Sequence, residues 1–212
     1  MSVTIFAEGG NDSASITNLR KAFGIFFGKL MPDKDKPTVL PCKGRSVTFS
    51  QFCKAIKHPK EGHHFFLLVD SEAPIEENTT TWEHLRNRPG DEWERPDESK
   101  DDQVFLMVQC MESWFLADRD AVESWYDDHN FNAAKLPPLV SGSIEPISKD
   151  RIAEGLKAAT KDTQKSAYHK TRHGPSLLEN IEPKKVVTAS VHAAKMESAL
   201  RARSKTRDQK TK

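Results

Sequence analysis

Three acidic residues fall where short apolar runs stop. Glu8 follows Val3-Thr4-Ile5-Phe6-Ala7, and Asp70 and Glu72 follow Phe65-Phe66-Leu67-Leu68-Val69. Short apolar runs bounded by turn formers read as buried strands. If the two strands lie parallel and adjacent, Glu8, Asp70 and Glu72 meet at one sheet edge. Two like charges ~4 Å apart repel by about 4 kcal/mol at an effective dielectric near 20, so such an edge needs a counter-ion. A hard dication, Mg²⁺ or Mn²⁺, supplies it. Mg²⁺ takes oxygen ligands, keeps several waters and accepts phosphate oxygens. A metal so held activates water and neutralises charge on a phosphodiester.

Other residues extend this set. Glu112 follows the run Val104-Phe105-Leu106-Met107-Val108. It is either a fourth carboxylate, suited to a second metal, or a first-turn glutamate complementing a helix dipole. Asp12 either joins the metal ligands or caps the first helix. Lys43-Gly44-Arg45 follows a second, weaker strand, and Arg45 has the fork geometry that grips phosphate. His169-Lys170-Thr171-Arg172-His173 concentrates cations, so Lys170 and Arg172 join Lys43 and Arg45 as expected substrate contacts. Each motif also has a plain reading as a solvated loop. Two histidines four apart suit zinc only on a helix, and Gly174-Pro175 argues against a helix there.

The elements that must position these groups follow from periodicity. Ile16, Leu19, Phe23, Phe26 and Leu30 form one helical stripe ended by Pro32. Thr48 and Gln51 have capping-box spacing, with Phe49, Phe52, Cys53 and Ile56 behind them. Residues 73–100 read as a polar, acid-rich surface insertion with a helical turn near Trp82 to Leu85. Helices are expected at 152–160, 176–181 and 191–200. The order of strands and helices predicts an α/β fold with a central, mostly parallel sheet of about four strands flanked by helices. It divides into a core over 1–127, a helical C-terminal extension over 128–200, and a basic tail over 201–212 expected to be disordered. Ligands in such sheets sit beyond the carboxyl ends of the strands.

Composition bounds the rest. The chain has 212 residues, net charge +1, 36% hydrophobic and 30% charged residues. It has no apolar run long enough to cross a membrane and no basic-then-apolar start, so a cytoplasmic protein is expected. Cys42, Cys53 and Cys110 match no zinc pattern. His63-His64 read as surface residues. Trp114 and Trp125 read as core, and Trp93 as the tryptophan most exposed for stacking. No G-x-x-x-x-G-K-[ST] is present, which argues against a nucleotide-binding P-loop.

Ile5-Phe6-Ala7-Glu8-Gly9 with Leu67-Leu68-Val69-Asp70-Ser71-Glu72 resembles the Toprim domain of topoisomerases, primases and OLD-type nucleases. That family carries a glutamate after its first strand and an Asp-x-Asp pair after its third; here the last acid is Glu72. A closer similarity, carried by Glu8-Gly9-Gly10-Asn11-Asp12, Pro41-Cys42-Lys43-Gly44-Arg45-Ser46, Val69-Asp70-Ser71-Glu72, Met107-Val108-Gln109-Cys110-Met111-Glu112-Ser113-Trp114-Phe115 and Tyr168-His169-Lys170-Thr171-Arg172-His173, is to a bacterial Toprim-like family of unknown function, DUF4276. These resemblances imply a Toprim-like fold and Glu8, Asp70 and Glu72 as metal ligands or acid/base groups. They also imply an ABC-type or AAA ATPase partner encoded nearby and a role in anti-phage defence. The expected activity is Mg²⁺-dependent cleavage of DNA or RNA, tRNA among the candidates, in which Glu112 joins the catalytic set. The alternative is a non-enzymatic subunit of the ATPase. A homodimer is left open.

Overall fold

The computed structural model describes residues 2–209, with side chains through residue 203. Four strands form one sheet: β1 (Ser2–Glu8), β2 (Thr38–Cys42), β3 (His63–Asp70) and β4 (Val104–Met107). Their order is β2-β1-β3-β4 and every pairing is parallel. The expected α/β architecture is therefore present, with all carboxyl strand ends at one edge.

Helices connect and cover the strands. They are α1 (Ser13–Leu30), α2 (Arg45–Lys57), α3 (Thr81–Asn87), α4 (Ser113–Ala117), α5 (Arg119–Tyr126), α6 (Lys149–Thr160), α7 (Lys170–Asn180), α8 (Pro183–Ala189) and α9 (Val191–Gln209). Strand side chains alternate between two cores. Ile5, Ala7, Phe66 and Leu68 pack with α1 and the C-terminal helices. Phe6, Leu67 and Val69 pack with α2, α3 and Trp93. Burial on both faces is why these strands read as unbroken apolar runs rather than alternating ones.

Several local expectations are corrected. Helix α2 starts at Arg45, with Gly44 as its N-cap at φ 71°, and the Thr48 hydroxyl bonds back to the Gly44 carbonyl at 2.8 Å. A positive φ suits Gly44 and lets the helix begin four residues ahead of the Thr48–Gln51 capping-box spacing. Helix α7 runs through Gly174-Pro175. A mid-helix proline costs about 3 kcal/mol, and packing along α1 offsets it. Lys29 Nζ donates to the carbonyls of Glu179, Asn180 and Ile181 at the end of α7. The tail is helical at its start, because α9 continues to Gln209. Extending an existing helix through alanine, arginine and lysine is far cheaper than starting one. Residues 210–212 lie outside the described residues.

The insertion is anchored rather than loose. Trp93 is buried, and its ring stacks on Phe49 at 4.2 Å with the rings nearly parallel. Its sequence context is polar, but the flat ring covers the outer side of α2. His63 and His64 belong to β3, where they pair with Ser2 and Val3.

Trp114 fixes the join between α4 and α1. It is 1% exposed and stacks on Phe26 at 5.0 Å. Replacing a buried tryptophan by alanine removes its contacts and leaves a cavity, costing about 3–5 kcal/mol. Trp114→Ala should lower the denaturation free energy by that amount, read from urea unfolding followed by circular dichroism; an unchanged midpoint would contradict this packing.

Candidate active site at the sheet edge

Glu8 and Asp70 end adjacent parallel strands, and the register brings them together. Glu8 Oε2 accepts from the Asp70 backbone N–H at 3.3 Å and from Arg45 Nη1 at 2.8 Å. The loop after Glu8 turns sharply through Gly9 and Gly10, both at positive φ. A Cβ at Gly9 would lie 2.8 Å from Leu19 Cδ1, so glycine lets this loop press down on α1.

Asp70 is 4% exposed. Its Oδ1 accepts the Met111 backbone N–H at 2.8 Å, and its Oδ2 lies 3.6 Å from Lys170 Nζ. Glu112, also buried, faces the same ammonium at 3.6 Å through Oε2, while its Oε1 accepts from the Tyr168 hydroxyl at 3.0 Å. Glu112 occupies the N-cap position of α4 but makes no side-chain cap bond. Its carboxylate lies beside Asp70 across Lys170, and it also stands at the N-terminal end of α4.

Glu72 turns elsewhere. It has φ 65°, its N–H bonds the Gln109 carbonyl, and its carboxylate pairs with Lys149 Nζ. Asp12 caps α1, accepting from the N–H groups of Ala14 and Ser15 at 2.9 Å. Of the acids expected as metal ligands, Glu8 and Asp70 converge, joined by Glu112. Glu72 borders the same space, and Asp12 does not share it.

The basic residues divide similarly. Lys170 sits among the acids. Arg45 lies behind Glu8 and is largely occupied: Nη1 also donates to the Asp70 carbonyl at 2.5 Å, Nε and Nη2 grip Asp91, and Trp93 flanks the guanidinium at 5.0 Å. Its geometry is that of a group positioning Glu8. Lys43 is exposed on the Asp12 side. Arg172 points away and donates to His173 Nε2 at 3.0 Å. His173 Nδ1 lies against the Tyr126 hydroxyl at 3.1 Å, so both ring nitrogens are engaged and the pair His169–His173 has no free zinc face.

Tyr168, Lys149 and Asp91 were not expected at the site. Tyr168 adjoins the basic run at 169–173, which could have pointed to it; Lys149 and Asp91 arrive on a helix end and a loop docked from distant parts of the chain, with no local mark. Asp91 is buried against Arg45 and Arg88.

The electrostatics follow from burial. Loss of water pushes the Asp70 carboxyl up to about 8; Lys170 opposes the rise, while Glu8, Glu112 and Glu72 add to it. For Lys170, whose side chain is more than half exposed, partial loss of water at the ammonium favours the neutral amine, but Asp70 and Glu112 outweigh it and raise its affinity for the proton. Burial likewise pushes the Cys110 thiol up to about 12, so it is no thiolate nucleophile. Burial works to raise Glu72, but the bond from Lys149 prevails and holds it below its ordinary value.

Two cavities open onto this cluster and share Asp70 and Lys170. One, of about 290 Å³, is bordered by Glu8, Gly9, Gly10, Leu19, Met111 and Pro175. The other, of about 340 Å³, is bordered by Glu72, Glu112, Lys149, Lys157, Tyr168 and His169.

A family model described as a domain of unknown function, DUF4276, matches residues 8–201. The chain belongs to the DUF4276 family. Its match begins at Glu8, the last residue of β1, and takes in β2 to β4 and the C-terminal part that delivers Tyr168 and Lys170. Comparison with curated proteins and with solved structures gave no match. Among the described residues no helix is long and apolar enough to cross a membrane.

The raised Asp70 carboxyl gives a pH signature. The folded state holds the proton between about pH 4 and 8, where the unfolded chain has released it, so this site's stability is full below pH 4 and lost as pH rises through 8. Asp70→Asn keeps the Met111 bond and removes the charge. In chelator-treated protein it should unfold at higher urea than wild type at pH 8, with the gap closing toward pH 4; a gap independent of pH would contradict the assignment.

Proposed function

We propose that this DUF4276 chain is a divalent-metal-dependent phosphodiesterase acting on nucleic acid, with Asp70 and Glu112 at its centre and Glu8 beside them. The observation that carries the reading is the pairing of Asp70 and Glu112 across Lys170 at the carboxyl edge of a parallel sheet, with Glu8 held against the Asp70 backbone by Arg45. This is where α/β sheets bind ligands.

Whether the site suits Mg²⁺ turns on its donors. Among the described residues no three His, Cys, Asp or Glu side chains are already gathered as a metal cage. The protein's own cations, Lys170 and Arg45, neutralise the acids instead. Mg²⁺, however, is held by one or two carboxylates plus waters and phosphate oxygens, not by an all-protein cage. Asp70 Oδ2 and Glu112 Oε2 are hard donors aimed at one cation position. The Lys170 side chain is more than half exposed and so has room to swing aside. The donor set fits. A bound metal would lower the pKa of a ligated water and offset phosphate charge.

The chain's own residues then have defined tasks. Tyr168 holds Glu112 in place through its hydroxyl, and the Met111 N–H holds Asp70. Arg45 orients Glu8, whose carboxylate is positioned to accept a proton at Oε1 or Oε2. Lys170 and Lys149 face developing charge on a phosphate. The Toprim relationship, an ATPase partner and a role in anti-phage defence belong to this proposal through sequence resemblance. A second reading, a non-enzymatic subunit of an ATPase, is favoured by the ion pairs that Arg45 and Lys170 make with Glu8, Asp70 and Glu112.

Labelled DNA and RNA incubated with Mg²⁺ or Mn²⁺ separate the two readings. Cleavage is expected, with Asp70→Asn and Glu112→Gln each losing at least about 100-fold while circular dichroism stays unchanged. Glu72→Gln, paired to Lys149 at the margin, should lose less. Undiminished cleavage by Asp70→Asn would exclude this centre, and no cleavage of either polymer in any metal would leave the subunit reading.

A further inference from the structure

The two cavities that share Asp70 and Lys170 have different chemistry, and the difference specifies the form of nucleic acid the site accepts. This inference rests on the phosphodiesterase reading. The larger cavity carries more charge: Glu72, Glu112, Asp150, Lys149, Lys157 and His169 border it, beside Cys110, Ala153 and Tyr168. The cavity on the α1 side is different. Leu19, Met111 and Pro175 give it an apolar wall, and its charged lining residues are only Glu8, Asp70 and Lys170 of the acid cluster itself.

The α1-side cavity is built into the fold. Its floor is the Gly9-Gly10 turn, pressed so close to α1 that a Cβ at Gly10 would lie 2.7 Å from Ile16 Cγ1. Any side chain there would displace the helix or fill the space. Its volume, about 290 Å³, lies at the lower end of ligand pockets. That suits one small, flat, largely apolar unit rather than several.

A phosphodiester at the shared rim has the more charged cavity on one side and, on the other, this recess, whose charged residues are Glu8, Asp70 and Lys170 of the acid cluster and whose wall is Leu19, Met111 and Pro175. The neutral unit attached to a phosphodiester is a nucleoside. In a duplex the base is stacked and paired inside, and only the sugar–phosphate backbone reaches a protein surface without cost. A base enters a recess when it is already unpaired or is extruded from the stack. We propose that the site takes single-stranded or unpaired nucleic acid, with the base next to the scissile phosphate seated in the α1-side cavity against Leu19, Met111 and Pro175. The aliphatic side chains cover the base face, while Asn11, Ser15 and Thr171, also on the lining, offer polar groups to its edge.

The test uses the full chain with Ca²⁺ replacing Mg²⁺, and fluorescence anisotropy of one labelled sequence presented as a single strand, a perfect duplex, and a duplex with one unpaired nucleotide, each as DNA and as RNA. Burying part of one base against these aliphatic side chains should make the single-stranded and unpaired forms bind about tenfold more tightly than the duplex. Thr171→Trp fills the cavity from its exposed rim, where Thr171 makes no core contact, and should abolish that preference. Equal affinity for duplex and single strand, a preference that survives Thr171→Trp, or no binding to any form would each overturn the inference. The phosphodiesterase reading fails separately, through absence of Mg²⁺-dependent cleavage of the same six substrates, and the binding comparison stands without it.

Discussion

A carboxylate cut off from water at the end of a central strand is the constraint around which the rest of this molecule is arranged. Asp70 retains little contact with solvent and has Glu8 and Glu112 for neighbours. Leaving such charges uncompensated is far more costly than building partners for them. The chain supplies partners from three directions: a backbone N–H from the turn after β4, an ammonium from α7, and a guanidinium from the start of α2 that reaches both Glu8 and the Asp70 carbonyl. On the proposed reading, a dication would take the position that the Lys170 ammonium holds between Asp70 and Glu112.

The fold explains why that place exists. Parallel pairing puts every carboxyl strand end at one edge, and the neighbouring positions of β1 and β3 set Glu8 beside Asp70. The C-terminal helices are part of the same device. Packing of α7 along α1 brings Lys170 over the acids, and Tyr168 just before α7 locks Glu112. On the other face, the insertion between β3 and β4 delivers Asp91 and Trp93 to Arg45, so the guanidinium that steers Glu8 is itself clamped on both sides. Disturbing the insertion therefore reaches the acid cluster through a single side chain.

The parts of this arrangement that were readable in sequence are those governed by local pattern. Strand runs such as Phe65 to Val69 announce themselves because both faces are buried, and the acids at their ends follow from parallel topology. Asp12 carried the residue type of an N-cap and became one. What pattern could not reveal depends on docking between distant segments. Trp93 sits in a polar stretch, yet finds Phe49; Gly174-Pro175 looks like a helix stop, yet tertiary packing carries the helix through it. Lys149 has no neighbours in sequence that mark it, and Tyr168 adjoins the basic run at 169–173 without itself showing that it would reach Glu112. Arg45 was legible as a residue near the edge, but its occupation by Asp91 was not, because Asp91 arrives from 46 residues away.

The central claim is that Asp70 and its neighbours form a cation site, and calorimetric titration of Mn²⁺ and Mg²⁺ into the full chain addresses it most directly. The account predicts saturable binding by the wild-type protein that is lost in Asp70→Asn and strengthened in Lys170→Gln, where the competing ammonium is gone. Binding that is absent from the wild type, or indifferent to both substitutions, would contradict it.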